Sequence, residues 1–259
     1  MSRFTRSGIY AAGSLALLIC SNASALEYFE LETYPYKTAN RGEFEVENFT
    51  SYTSRGTKGS EDVAGSNAGL TRSTFELTYG ITDKTELALY RDYARERGGH
   101  FEHVGSRYHV RTRFYEKGEL PVDLGMYVEL ATPRGEETDL EGELRGIVET
   151  DFGRWTLDVN PIFERVLRGT GEQRDAGWTF KYALSLIYRP SEFWQPRLDL
   201  FGDFGPLQHF SAHDAQQHLL SPAVDFRIGH SMFATLGVGI GLTDATEQRL
   251  VRARLEWEF

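Results

Sequence analysis

The stretch 247–259, EQRLVRARLEWEF, alternates with a period of two. Val251, Ala253, Leu255, Trp257 and Phe259 share one parity; Leu250, Arg252, Arg254, Glu256 and Glu258 share the other. Successive side chains of a strand point to opposite faces. The stretch therefore has one apolar face, with aromatic rings gathered at its end, and one face that is mostly charged. The same alternation recurs along most of the chain, and this recurrence limits the fold more than any other feature. It predicts an all-β protein, an antiparallel up-and-down meander of about twelve strands, each of about ten residues.

The strands are expected near 41–54, 71–80, 85–95, 104–115, 122–130, 139–150, 155–167, 177–188, 197–205, 217–228, 232–242 and 247–259. The polar parity carries Glu76 and Glu86, then Arg111 and Arg113, then Asp123 and Glu129. Further along it carries Glu141, Glu143, Arg145 and Glu149, followed by Asp158, Lys181, Asp199, Asp225, Arg227, Arg252 and Arg254. The opposite parity is apolar, as in Val122, Leu124, Met126, Val128 and Leu130. Arg91 is a flaw, a charge on the apolar parity of its strand. Bulges are expected at Asn48-Phe49, where the alternation blurs, and at Pro161, which cannot donate to a ladder.

Residues 1–25 read as a secretory signal peptide, with Arg3 and Arg6 ahead of an apolar core from Ile9 to Cys20 and a small-residue site at Ala23-Ser24-Ala25. Cys20 is the only cysteine, and Ile19 before it is too large for a lipidation signal. Thiol chemistry is therefore not expected in the mature chain. Residues 26–40, rich in Tyr28, Phe29, Tyr34 and Tyr36 and interrupted by Pro35, alternate poorly. They are read as a periplasmic segment that folds against the mouth of the barrel or into it, ahead of a barrel at 41–259.

An even number of strands puts both termini on one side. The connections near 55–70, 95–103, 133–138, 168–176 and 206–216 are mostly long, and those near 80–84, 116–120, 151–154 and 229–231 are short, with 189–196 as an exception. Alternating long and short connections are the mark of a transmembrane barrel, long outside and short in the periplasm. Tyr79, Phe114, Trp155, Tyr188, Trp257 and Phe259 all fall beside the short turns, where an interfacial girdle belongs. The mean hydropathy of −0.42 does not argue against this, because half of every barrel strand is polar. A soluble all-β protein has the same period, but would have to accommodate its dense charged set elsewhere. The closing strand, ending on Phe259, resembles that of Gram-negative outer-membrane barrels and the signal read by their insertion machinery. The expected location is the outer membrane, among lipids and lipopolysaccharide. With 38 acidic and 28 basic residues, nucleic acid is not an expected partner.

The segment STFELTYGITDKTELALY, Ser73 to Tyr90, carries a closer likeness. Glu76, Tyr79, Gly80, Ile81, Thr82, Asp83, Lys84, Glu86 and Leu87 match the hairpin E-x-x-Y-G-(I/L)-T-D-(K/R)-x-E-L. This hairpin resembles the transporter-like outer-membrane family named for the meta-pathway of phenol degradation. The resemblance implies a porin-like or transporter-like barrel, with aromatic compounds as one cargo among others.

A lumen lined by this acidic excess, with opposed bases, is expected to pass small solutes and favour cations. The alternatives are a plugged structural barrel, its charges joined as ion pairs, and an outer-membrane lipid hydrolase. For the hydrolase, Ser106 lies near His103 and His109, and Ser211 near His209 and His213, without the third group that a nucleophile and base require. His209, His213, Asp214 and His218, and separately His100 and His103, follow no metal-binding spacing. No catalytic residue, metal or cofactor is expected. Gly237, Gly239 and Gly241 leave a bare stripe on the lumen wall. It gives room to a solute, to the Tyr-rich segment, or to bulky neighbouring side chains.

Overall fold

A computed structural model describes residue 26 and residues 28–58, 67–133, 140–169 and 177–259. The expected leader at 1–25, with Cys20, lies outside the described residues, as do parts of the connections at 55–70, 133–138 and 168–176.

Twelve strands form one closed barrel. They are β1 (Phe44–Arg55), β2 (Thr71–Thr82), β3 (Thr85–Arg95), β4 (Glu102–Arg113), β5 (Asp123–Pro133) and β6 (Leu140–Phe152), then β7 (Trp155–Arg168), β8 (Thr179–Tyr188), β9 (Trp194–Pro206), β10 (Gln217–Ile228), β11 (Met232–Gly241) and β12 (Arg249–Glu258). Each strand pairs antiparallel with its sequence neighbours, and β1 closes against β12 with Val46 opposite Trp257 and Thr50 opposite Ala253. Phe44 and Phe259 complete the seam, with Phe259 N–H donating to the Phe44 carbonyl at 2.8 Å. Closure leaves no unpaired edge, the condition for a sheet surrounded by hydrocarbon.

The faces are inverted relative to a soluble protein. Leu77, Val110, Val128, Leu236 and Leu255 stand exposed on the outer wall, while Glu86, Arg145, Asp158 and Asp199 are buried inside. Aromatic pairs mark the short-turn end. Phe44 lies 4.7 Å from Tyr79, Trp155 4.7 Å from Tyr188, and Trp257 4.9 Å from Phe259, between ring centroids. Two of the short turns, between β6 and β7 and between β10 and β11, hold Gly153 and Gly229 at positive φ, the conformation such reversals demand.

Three expectations need correction. β9 begins at Trp194, so the connection from β8 shortens to 189–193 and ceases to be an exception. Asn48-Phe49 keeps an unbroken register with both neighbours. The pattern blurs there because Asn48 faces out and Phe49 faces in. Pro161 likewise causes no shift: Arg145 pairs with Ile162 and Val148 with Val159 in one register, and the ring lies over Gly146. The register shifts fall elsewhere, among them one between Asp92 and Tyr93 opposite Val104.

Gly80 shows why its hairpin needs a glycine. A Cβ there would lie 1.8 Å from the backbone oxygen of Asn40, where the chain passes over the turn to enter β1. Neither side of that contact is a flexible side chain. Gly80→Ala is therefore expected to destabilise the barrel by about 1–3 kcal/mol, read as a lowered urea midpoint for unfolding from lipid vesicles. An unchanged midpoint would mean that the crossing at Asn40 is not tight.

Candidate functional site

The lumen is occupied by the chain itself. The described residues of this segment, 26 and 28–40, do not pair with the sheet but run through the barrel from one end to the other. Leu26 lies beside Gln217, at the long-connection end, and Asn40 beside Glu43, at the short-turn end. Of the two placements considered from sequence, against the mouth or into the barrel, the segment takes the second. Leu26, Tyr28, Leu31, Tyr34, Tyr36 and Ala39 are all buried.

Barrel geometry explains the fit. Twelve strands about 4.8 Å apart, tilted by about 40°, close at a backbone radius of about 12 Å. Inward side chains take up about half of that radius, leaving a lane about as wide as one extended chain with its side chains. One cavity beside the segment, between Tyr28, Leu31, Phe49, Arg197 and Arg252, is about 20 Å³, room for about one water.

Wall side chains satisfy the backbone of the segment in place of a ladder. Tyr34 N–H donates to Asn160 Oδ1 at 2.7 Å, and Asn160 Nδ2 donates back to the Tyr34 carbonyl at 3.1 Å. Tyr36 N–H donates to Glu149 Oε2 at 2.8 Å, and Ala39 N–H donates to Glu86. Ser51 Oγ donates to the Tyr28 carbonyl at 3.0 Å, and Arg252 donates to the Leu31 carbonyl. A backbone without secondary structure must be satisfied in some such way when it is buried.

Charges join the segment to the wall. Arg107 pairs with Glu30 of the segment and with Asp92 at 3.0 Å, while Glu129 lies 3.6 Å away. Arg254 pairs with Glu32 of the segment and Glu256, and with Glu47 at 3.2 Å. An aromatic cluster encloses the centre. Tyr34 Oη lies 2.6 Å from Tyr90 Oη, which lies 2.6 Å from His109 Nδ1. The guanidinium groups of Arg111 and Arg145 each sit 4.8 Å from the centre of the Tyr34 ring.

The residues expected to line the lumen all lie on inward positions, at different depths. Glu76, Glu86, Arg111, Glu129, Arg145 and Glu149 are buried around the segment, as are Asp158, Lys181 and Asp199 on the opposite side. Glu141, Glu143, Asp225, Arg252 and Arg254 are half-buried. Asp123 accepts from Gly118 N–H in the turn after β4, at 2.7 Å, and Arg113 donates to the Asp83 carbonyl; both belong to the short-turn rim. Arg227 is exposed at the same rim, over the ring of Phe233. Many of these groups are paired: Arg111 with Glu86 at 2.6 Å, Arg145 with Glu143 at 2.8 Å, Lys181 with Glu164 at 2.7 Å, and Arg252 with Asp199. Arg72, Arg107 and Arg197 share this inward parity and are further bases of the lumen, beyond those expected to line it. Glu247 and Glu30, the partners of Arg72 and Arg107, are distant in sequence, so for these two alternation gives the face but not the pair; Arg197 pairs with Asp199, its neighbour on the same face of β9. The glycine stripe makes room for neighbours. Gly237 lies under Ala223 and Arg252, and Gly239 under Leu250 and Leu219.

The other candidate chemistry resolves differently. Ser106 Oγ lies 3.1 Å from His103 Nε2, on the outer wall, whereas His109 is inside the lumen. Among the described residues no carboxylate hydrogen-bonds to His103, and Arg91 donates to the Ser106 hydroxyl. His213 and His218 rings lie 6.5 Å apart, and His218 is held by Tyr182 and Gln216 at 3.0 Å each. Among the described residues the group with ligand atoms close enough for a metal is Glu43, Glu45 and Glu258, with Lys37 at 2.7 Å from Glu258.

No family model matches this chain, and no curated protein does. Solved structures do. An outer-membrane channel from Pseudomonas putida F1 superposes with a TM-score of 0.65 at 15% identity, over 89% of this chain and 100% of that one. The KdgM porin gives 0.55 at 7% identity, over 83% and 99%. The NanC porin gives 0.52 at 5% identity, over 83% and 98%. The shared feature is the fold, and this chain is a closed twelve-stranded antiparallel barrel of the architecture found in outer-membrane channels and porins.

Proposed function

We propose that this protein is an outer-membrane channel of a Gram-negative envelope, held closed by residues 26–40 and passing small solutes when that segment moves. In this reading residues 1–25 are an exported leader, the short turns face the periplasm and the insertion machinery reads the closing strand. The observation that carries the proposal is the combination of a charged lumen with a filler that is not part of the sheet. A barrel filled by its own wall side chains could not open without breaking strand pairs. Here the filler is bound by side-chain hydrogen bonds, ion pairs and packing against wall side chains rather than by strand pairing, and it can leave with the barrel intact. The fold shared with channels and porins supports the reading. The hairpin from Ser73 to Tyr90 supports a tie to the transporter-like barrels named for phenol degradation. The rings of Tyr90, Tyr127 and His109 around the segment suit small aromatic compounds among the solutes.

The reversal potential of the refolded protein in a planar bilayer, under a salt gradient, tests the lining. Open events are expected to favour cations. Glu143→Gln, combined with Glu141→Gln, leaves Arg145 without its partner at 2.8 Å and is expected to shift the reversal potential toward anions. An unchanged potential would remove these carboxylates from the conducting path. A folded barrel that gives no conductance steps, with or without residues 26–40, would contradict the channel.

A further inference from the structure

The outer wall has a polar notch that solute passage does not explain. On β11 every outward residue up to Ile240 is apolar or small, as are Val251, Ala253 and Leu255 on β12. On β1 to β5 the outward surface changes character halfway along the strands. Val46, Leu77, Leu89, Tyr108 and Leu130 lie toward the short-turn end. Beyond them, paired across the sheet, come Asn48, Phe75, Arg91, Ser106 and Thr132, and then Thr50, Ser73, Tyr93 and His103. Arg95 follows at the top of β3. The flaw that Arg91 makes in its strand is thus one member of a polar surface.

This surface is built rather than incidental. Arg91 donates to Ser106, and His103 lies 3.1 Å from the same hydroxyl. The register shift opposite Val104 brings His103 out to this wall beside Tyr93, as bulges do where they re-aim a side chain. Asn48 Nδ2 donates to Ser73 Oγ at 3.0 Å, and Arg95 sits 4.8 Å from the Phe101 ring. Above these lies a groove of about 310 Å³ between Tyr52, Thr71, Arg95 and Arg97. Glu96 is the carboxylate at its rim. Among the described outward residues of β1 to β5 there is none.

Guanidinium groups on a wall that faces lipid are favourable where they meet anionic headgroups and costly against hydrocarbon. We propose that this notch binds a phosphate-bearing glycolipid of the outer leaflet. Arg91 and Arg95 hold phosphate, and the half-buried Asn48, Thr50 and His103 contact sugar, held in place by the buried hydroxyls of Ser73 and Ser106. The geometry suits it: cations and short polar side chains lie at the long-connection end of the barrel, with an apolar band for acyl chains below. A second copy of the chain is a poorer occupant, because a two-fold axis through the notch would set arginine against arginine. The proposal rests on the membrane-barrel reading, and its test separates the two.

Refolded protein is titrated with bisphosphorylated lipid A and with its dephosphorylated form, and bound lipid is counted by native mass spectrometry. The wild-type protein is expected to prefer the bisphosphorylated lipid, and Arg91→Gln with Arg95→Gln to lose about tenfold or more in affinity. Lysine at both positions retains most of the binding, because the charge is kept. Arg189→Gln, at the opposite end of the barrel, is expected to leave binding unchanged. Equal binding of both lipids, or equal binding by the wild-type and glutamine variants, would overturn the proposal while leaving the barrel intact. A dimer signal lost in the glutamine variant would also overturn it, by identifying a second copy as the occupant. Failure of the wild-type protein to insert into vesicles would overturn the membrane reading and this site with it.

Discussion

Deleting residues 26–40 is expected to turn a channel of small, infrequent conductance steps into one of large, long-lived steps. The segment fills a lane sized for one extended chain, and a cavity beside it measures about 20 Å³. No strand pair depends on it, since β1 begins at Phe44 and pairs with β2 and β12 without it. The deleted protein should therefore still fold and show the electrophoretic shift on heating typical of a closed barrel. Conductance should rise several-fold, because removing the segment frees a lane about as wide as one extended chain. A variant that folds with unchanged steps would show that ions already bypass the segment, and that it does not close the path.

The second large effect is expected at Arg107. Its guanidinium joins Glu30 of the segment to Asp92 of the wall, lies near Glu129 and sits 4.5 Å from the centre of the Tyr90 ring. Removing one partner of a buried ion pair leaves the other charged and desolvated, a loss of about 3–5 kcal/mol. Here Arg107→Met leaves several carboxylates in that condition. The least disruptive relief is departure of the segment, which takes Glu30 to water. Arg107→Met should therefore raise the fraction of time spent open, and Glu30→Gln should raise it less, since it removes a charge rather than exposing one. The double variant should fall between the sum of the two and the larger single effect, because the sites share one interaction. Strictly additive effects would mean that the Arg107–Glu30 pair does not hold the segment.

The strands were legible because their period is local. In 217–228 and 85–95 the alternation alone sets the bounds, and they are those of β10 and β3. The inward face was legible for the same reason, Arg72, Arg107 and Arg197 included, once parity is carried through each strand. What alternation cannot carry is anything that joins distant parts of the chain. Residues 26–40 have no period because they belong to no ladder. Their bonds go to Asn160, Glu149, Glu86 and Gln217, residues of four different strands. The charge excess alone leaves an open and a filled lumen as alternatives for this reason, and in the structure the segment fills it. The face of His103 is hidden from alternation in the same way: only the shift opposite Val104 puts it on the outer wall with Ser106.

Accessibility of a lumen position to a water-soluble thiol reagent tests the closed barrel most directly. With Cys20 in the expected leader, the mature chain offers no competing thiol. Ser51 faces inward beneath the Tyr28 carbonyl and is buried, whereas Gln208 is exposed on the connection after β9. In the mature protein in vesicles, with residues 26–40 present, Ser51→Cys should be labelled far more slowly than Gln208→Cys, and deletion of 26–40 should bring the two rates together. Equal labelling with the segment present would contradict a lumen closed by residues 26–40.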